Sequence, residues 1–239
     1  MGLVVFKWGY NKLTLLQNRE QRDTWEIEPA AWDDDNQILR GVPEDNFGTW
    51  CGISKRGRVA FVVNSSCSLS PSMHRPIDFL RGEMSPMEFA RAWSSDNDHR
   101  LDRISSGLNC FMIVADINAN SMVYASKTSP RVLEVAFGVH TLASVTGLDS
   151  DGDYYLVKRQ KELFSEMISK YKKRKVPPLK DMAENFMYKG DRSAPHNSSN
   201  ETLSTIALAV KPNEDVNFYQ RYLKNGTWKD HSFTFKITA

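Results

Sequence analysis

Apolar residues open the chain in one run, Leu3-Val4-Val5-Phe6-Lys7-Trp8, and return from Leu13 to Gln17 after the turn-forming Gly9-Tyr10-Asn11-Lys12. Two short strands around a tight turn predict an opening hairpin. An acidic, turn-rich stretch follows (Asp33-Asp34-Asp35-Asn36). Residues 48–54 and Arg58-Val59-Ala60-Phe61-Val62-Val63 then flank a Lys55-Arg56-Gly57 turn and predict a second hairpin. Its returning arm is continuously apolar, which suits a strand buried on both faces. Residues 109–116 and 122–125, around Asn118-Ala119-Asn120, predict a third strand pair, and 132–136 with 139–143 predict a fourth.

The period changes elsewhere. Ser85-Pro86-Met87-Glu88 is a capping box with proline at the first helical position, so a helix should run from there through Phe89 and Trp93. Across 154–188 the pattern is helical again. Leu163, Phe164, Met167, Ile168 and Tyr171 share one stripe, and Pro177-Pro178 separates it from a second at Met182, Ala183 and Phe186. Strands at 204–210, 216–223 and 228–237 close the chain. In the last, Phe233, Phe235 and Ile237 alternate with Thr234, Lys236 and Thr238, the mark of a half-buried strand. Strand pairs joined by short turns predict mostly antiparallel sheets with helices packed outside them, an α+β fold. With no internal repeat and no long linker, residues 1–239 read as one domain.

Composition narrows the function classes. The 239 residues are 41% apolar and 25% charged, an ordinary globular balance, with a net charge of +2 that gives no electrostatic footprint for nucleic acid. The one basic run, Lys170-Tyr171-Lys172-Lys173-Arg174-Lys175, ends a helical pattern, where cations complement the helix dipole. Three cysteines (Cys51, Cys67, Cys110) offer neither zinc spacing nor a disulfide framework. The opening apolar run is too short for a signal peptide, and no stretch has the length of a transmembrane segment. A reduced, cytoplasmic protein is expected. The five histidines form no i, i+4 pair, so no metal site is expected. Asp149-Ser150-Asp151-Gly152-Asp153 has calcium-loop composition, but its glycine falls early and the closing Glu is missing. It reads instead as an acidic turn capping the next helix.

Asn18-Arg19-Glu20-Gln21, after an apolar first strand, resembles the Asn-Arg-Asp-Glu tetrapeptide of the NRDE family, also called the transport and Golgi organisation family. Ile38-Leu39-Arg40-Gly41 and Gly48-Thr49-Trp50-Cys51-Gly52 resemble its glycine-rich segment, and Arg56-Gly57-Arg58-Val59-Ala60 leads to Asn64 as in the family. Arg81-Gly82-Glu83, Asn109-Cys110-Phe111 through Asp116, Ser204-Thr205-Ile206 and Tyr219-Gln220-Arg221 extend the match. The resemblance implies an N-terminal-nucleophile-hydrolase-like architecture: two facing, mostly antiparallel β-sheets sandwiched between helical layers. In such enzymes the residue exposed by loss of Met1 supplies a side-chain nucleophile and a free α-amine that takes its proton. Cysteine at position 2 is what the family implies.

Here position 2 is Gly2, and no Ser, Thr or Cys precedes Thr14. Glu20 stands where the family has Asp, and Gln21 stands where it has Glu, which loses a charge. The family's Leu-Ser-Asn segment is absent where Gly138-Val139-His140 runs into Thr141-Leu142-Ala143. These departures point away from catalysis, so no catalytic residue is assigned.

The residues expected to shape a ligand pocket are Gly2, Asn18, Arg19, Glu20, Trp50 and Asn64. Arg19 and Glu20 read equally well as a pocket floor or as a structural ion pair. Glycine at the nucleophile position should leave room and backbone donors. Cys110, beside Phe111, Met112 and Ile113, reads as inert core, and Cys67, in a serine-rich loop, as the thiol to test. Met73-His74 is a weak haem-contacting pair, weighed because the family is linked with haem trafficking. The expectation is a pseudoenzyme acting in intracellular transport, Golgi organisation and protein secretion, with Golgi or mitochondrial association left open. No cofactor is required; haem or an acyl-CoA-type lipid is the ligand class, with protein partners unspecified. The alternative is an amidohydrolase with a relocated nucleophile at Cys51 or Cys67. A third reading is a structural interaction protein that uses surface aromatics such as Trp228.

Overall fold

A computed structural model describes residues 2–10, 12–20, 27–43, 48–64, 75–95, 109–127, 131–150, 155–171, 178–187 and 202–238. In chain order the first strands are β1 (Gly2–Gly9), β2 (Lys12–Glu20), β3 (Ile27–Trp32), β4 (Ile38–Pro43), β5 (Cys51–Ser54) and β6 (Arg58–Asn64). Helices α1 (Arg75–Arg81) and α2 (Pro86–Ser95) follow. Then come β7 (Cys110–Asp116), β8 (Ser121–Ser126), β9 (Arg131–Glu134), β10 (Gly138–Ala143) and β11 (Gly147–Leu148). Helices α3 (Tyr155–Ser169) and α4 (Leu179–Phe186) precede β12 (Thr202–Val210), β13 (Asp215–Lys224) and β14 (Thr227–Lys236).

The strands form two seven-stranded sheets. The first runs β11-β10-β1-β2-β12-β13-β14 and the second β3-β4-β5-β6-β7-β8-β9. Their pairings are antiparallel throughout. Alternation along β1 shows what each face meets. Val4, Phe6 and Trp8 enter the large core shared with the second sheet, where Phe6 meets Phe61 edge-on at 5.3 Å. Leu3 and Val5 join the smaller core with Val157 and Phe164 of α3 and Met182 and Phe186 of α4. On the other side, α1 packs on β5 and β6 while α2 packs on β7, β8 and β9. Among the described residues each sheet thus carries a pair of helices, and the expected α+β class with two large antiparallel sheets is what the chain adopts.

The capping box forms as expected. Ser85 N–H donates to Glu88 Oε2 at 2.9 Å, and Glu88 N–H returns a bond to Ser85 Oγ at 3.3 Å. The final meander β12-β13-β14 also forms as expected, with its alternation of half-buried and exposed positions.

Other expectations are corrected. The fourth strand pair is not a hairpin: β9 pairs with β8 at the edge of the second sheet, whereas β10 pairs with β1 in the first. Both segments have strand character, but the linker between them carries the chain from one sheet to the other. β3 escaped the pattern because it contains Glu28 and Pro29. A proline is tolerated there because β3 is an edge strand. Helix α1, at seven residues, is too short to show a helical stripe. Asp149, which opens the acidic turn read as a helix cap, clasps β10. Its Oδ1 accepts Thr141 N–H at 3.0 Å and its Oδ2 lies 2.6 Å from His140 Nδ1. Residues 151–153 of that acidic turn lie outside the described residues.

Glutamine side chains cross the space between the sheets. Gln17 Nε2 donates to Val62 O at 3.0 Å, tying β2 to β6. Gln220 Oε1 accepts Ala30 N–H from β3, while its Nε2 donates to Ser204 Oγ at 3.1 Å. Gln220 is fully buried. Gln220→Leu keeps the apolar volume but orphans the Ala30 N–H, and is expected to cost about 1–3 kcal/mol, read from urea midpoints.

Burial alone would raise the Asp149 carboxyl. The hydrogen bonds from His140 and Thr141 N–H, with the His140 and Lys161 charges, outweigh it and hold the carboxyl below its usual range. Such a group adds stability above its unfolded pKa of about 3.9 and loses it as pH falls through the lower folded value. The stability difference between wild type and Asp149→Asn should therefore shrink as pH drops below about 4, measured by urea unfolding from pH 7 to 3.

Candidate functional site

Asn18, Arg19 and Glu20 of the tetrapeptide lie on the end of β2, longer than the pattern 13–17 suggested, and strand alternation divides side chains there between two faces. Gln17 and Arg19 face the second sheet, whereas Asn18 faces α4. Asn18 Nδ2 donates to Phe186 O at 2.8 Å, and its Oδ1 accepts Thr205 Oγ1–H at 2.6 Å. Both Asn18 and Thr205 are buried, so the asparagine joins β2, β12 and the end of α4 through bonds that water cannot contest. Glu20 ends β2 opposite Thr202, where a register shift enters β12.

Arg19 is paired with Gly2 across the hairpin. Its guanidinium carbon lies 4.7 Å above the Trp50 ring, a cation–π contact. The glycine-rich segment explains how Trp50 comes to be there. A Cβ on Gly41 would stand 2.7 Å from Trp50 Cε2 and 3.0 Å from Ile206 Cδ1, so only glycine admits the indole against that strand. Gly48 has φ of 92°, a conformation side chains rarely adopt. Arg40 Nη1 donates to Gly48 O at 2.7 Å and holds the bend. Thr49 Oγ1 accepts Cys51 N–H at 3.1 Å and lies 2.9 Å from Gly41 O, fastening the segment to β4. The Gly-Thr-Trp core is thus a bracket that delivers an indole to Arg19.

Gly2 sits at the open end of β1, its carbonyl accepting Ser144 N–H at 3.1 Å. A Cβ built on it would point between the sheets and meet Val63 Cγ1 at 3.3 Å and Asn18 O at 3.4 Å. The room expected beside the glycine is therefore bounded by Val63 in the side-chain direction. Asn64 closes β6 one residue further on, with its backbone opposite Cys110. Gly2, Arg19 and Trp50 are brought together at one end of the space between the sheets, while Asn18 belongs to the neighbouring helix face. Cys67, Gln21 and the Met73-His74 pair lie outside the described residues.

The hydroxyls here are engaged: Thr205 with Asn18, and Thr49 with the backbone around it. Cys51 is fully buried, and burial pushes its thiol up to about 12, which leaves almost no thiolate at neutral pH. This removes the physical basis for Cys51 as a relocated nucleophile. Gln17 gave no signal of its own and Thr205 was visible only within the family match, because a threonine or glutamine in an apolar strand has the same spacing whether it is bonded inside or solvated outside. Among the described residues no group of three or more His, Cys, Asp or Glu is placed to hold a metal ion, and no helix is long and apolar enough to cross a membrane.

Iodoacetamide at pH 8 should leave Cys51 unmodified in the native protein and alkylate it in urea, as read by peptide mass mapping. Native alkylation on the timescale of an exposed thiol would contradict the burial of that side chain.

The fold and the tetrapeptide's surroundings can be set beside known proteins. A family model described as Transport and Golgi organisation 2 matches residues 1–227. No curated protein matches the chain. The matched span runs from the Gly2 strand through the Arg19–Trp50 contact to the end of β13, so the match includes the whole site and every strand but β14. The chain belongs to the Transport and Golgi organisation 2 family.

Proposed function

We propose that the chain, acting as one domain, is a non-catalytic member of its family that serves intracellular transport, Golgi organisation and secretion by binding a ligand beside Gly2. The family description supplies the cellular setting. The observation that carries the non-catalytic reading is at position 2. A glycine stands there, inside a paired strand, with Val63 3.3 Å from where a side chain would begin. A covalent mechanism needs a nucleophile at that point, and its loss removes many powers of ten in rate. Cys51 does not replace it, since its thiol is buried and held protonated.

What supports a binding role is the pairing of Arg19 with Trp50. The buried Trp50 indole backs the Arg19 guanidinium, which offers a cation against an apolar wall. That combination suits an amphipathic ligand with an anionic group, the chemistry shared by haem and acyl-CoA-type lipids.

Titration of haem and of a long-chain acyl-CoA against wild type and Arg19→Ala tests the reading. Loss of the charged contact is expected to weaken binding about ten- to hundredfold. Unchanged affinity in the variant removes this site from the account. In parallel, wild type is expected to turn over no amide or thioester in a substrate panel. Turnover abolished by Cys67→Ala would replace the binding role with a relocated nucleophile.

A further inference from the structure

β1 runs from Gly2 to Gly9, so the opening hairpin turns at the far end of the first sheet, roughly 20–25 Å from the site beside Gly2. What that end does is independent of the role assigned to Gly2, Arg19 and Trp50. Two aromatic side chains stand out from it. Tyr10, in the turn, is 70% exposed, and Phe137, in the link from β9 to β10, is 58% exposed.

Phe137 is held outward by its surroundings. Val135 N–H donates to Met122 O at 2.9 Å, and the Ala136 carbonyl lies 2.8 Å from His140 Nε2, so the backbone is fastened just before it. Just after it, Gly138 pairs with Trp8 of β1. The Phe137 ring meets the buried Trp8 indole edge-on at 5.8 Å and leaves its outer side uncovered. Tyr10 lies two residues beyond Trp8, where Gly9 pairs with Lys12, which puts both rings at one tip. Large rings kept exposed in this way form an apolar patch, and such patches mark contact surfaces.

The charge of the hairpin has one sign. From Gly2 to Arg19 the sequence contains no Asp or Glu. Lys7 and Lys12 flank the turn and are exposed. Alternation aims both away from the large core, which Phe6 and Trp8 beside Lys7, and Leu13 beside Lys12, enter. Lys211 follows the end of β12, where Val210 pairs with Leu13, and adds a third cation from the neighbouring strand. Among the described residues none of these three lysines forms an ion pair. The acids of this end lie on other turns and strands. Glu134 ends β9 and Glu214 sits in the β12–β13 turn, while Asp215 accepts Asn213 Nδ2–H at 2.7 Å and is paired with Lys236 across β13 and β14.

We propose that this tip is a contact surface for an anionic lipid bilayer. Tyr10 and Phe137 sit among the headgroups, and Lys7, Lys12 and Lys211 lie against lipid phosphates and carboxylates. A projecting turn has no hollow to grip a protein side chain, whereas a bilayer interface receives projecting rings, and aromatic side chains favour that depth. The rings supply shallow burial and the lysines supply the preference for acidic lipid, so the contact is reversible and salt-sensitive.

Flotation of the full chain with phosphatidylcholine vesicles, made with and without phosphatidylserine, tests the proposal. The wild type is expected to float with the phosphatidylserine vesicles at low salt, to be released by high salt, and to stay behind with phosphatidylcholine alone. Lys7→Glu/Lys12→Glu and, separately, Tyr10→Ser/Phe137→Ser should each lower the bound fraction about tenfold or more. Both pairs change exposed positions, and urea midpoints check that the fold is kept. Lys180→Glu/Lys229→Glu makes the same charge change at the other end of the sheet, around Asp230, and should float as the wild type does. Absence of flotation with phosphatidylserine vesicles overturns the proposal. So does equal flotation with phosphatidylcholine alone, wild-type binding by either tip pair, or an equal loss in Lys180→Glu/Lys229→Glu.

Discussion

β1 and β2 lie at the centre of the first sheet, with one face against the second sheet and the other against α3 and α4. Apart from the exposed Lys7 and the strand ends, most positions on both faces are buried, so a polar group buried there needs a partner within the protein. The apolar positions meet this constraint by alternation: Phe6 turns to Phe61 and Val5 to the helix side. Two polar side chains answer it by reaching across layers, although Gln17 Oε1 has no hydrogen-bond partner among the described residues. Gln17 bonds into β6, and Asn18 bonds into α4 and β12. The tetrapeptide that marks the family is therefore also a joint between three layers, and a change there disturbs packing as well as any ligand.

The same constraint decides what the sequence discloses. Strand pairs with local turns were readable, because hairpin pairing follows from adjacent apolar runs and turn residues. The helix at Ser85 was readable because a capping box is a chemical statement about two N–H groups. The crossing from β9 to β10 was not. An apolar segment looks alike whether it folds back on its neighbour or joins a distant sheet, and the choice is made by partners such as β1, more than a hundred residues away. β3 was hidden for the complementary reason: as an edge strand it tolerates Pro29 and an acid, which pattern reading takes for loop.

At the site, Arg19 and Trp50 could be named from motif order, and the structure supplies the relation between them. Gly41 was visible only as part of a glycine-rich segment, and its purpose appears once Trp50 is seen against it. Cys51 illustrates the reverse. Its residue type suggested reactivity, and its surroundings make it a small apolar side chain with an inert sulfur. Gln220 was visible only as one residue of a family match, since its importance lies in which of its atoms meet a partner.

The order of strands in the first sheet also sets a schedule for the growing chain. β2 neighbours β12, whose residues begin at Thr202, near the far end of the sequence. The opening hairpin leaves the ribosome long before this neighbour exists, with its apolar faces and one edge uncovered. At about 5–20 residues per second the wait is on the order of ten seconds or more, long enough for chaperone capture or for edge pairing with another nascent chain. Slow maturation of this protein is thus written into its topology, and truncation from the C-terminal end strips the N-terminal hairpin of the strand that completes it.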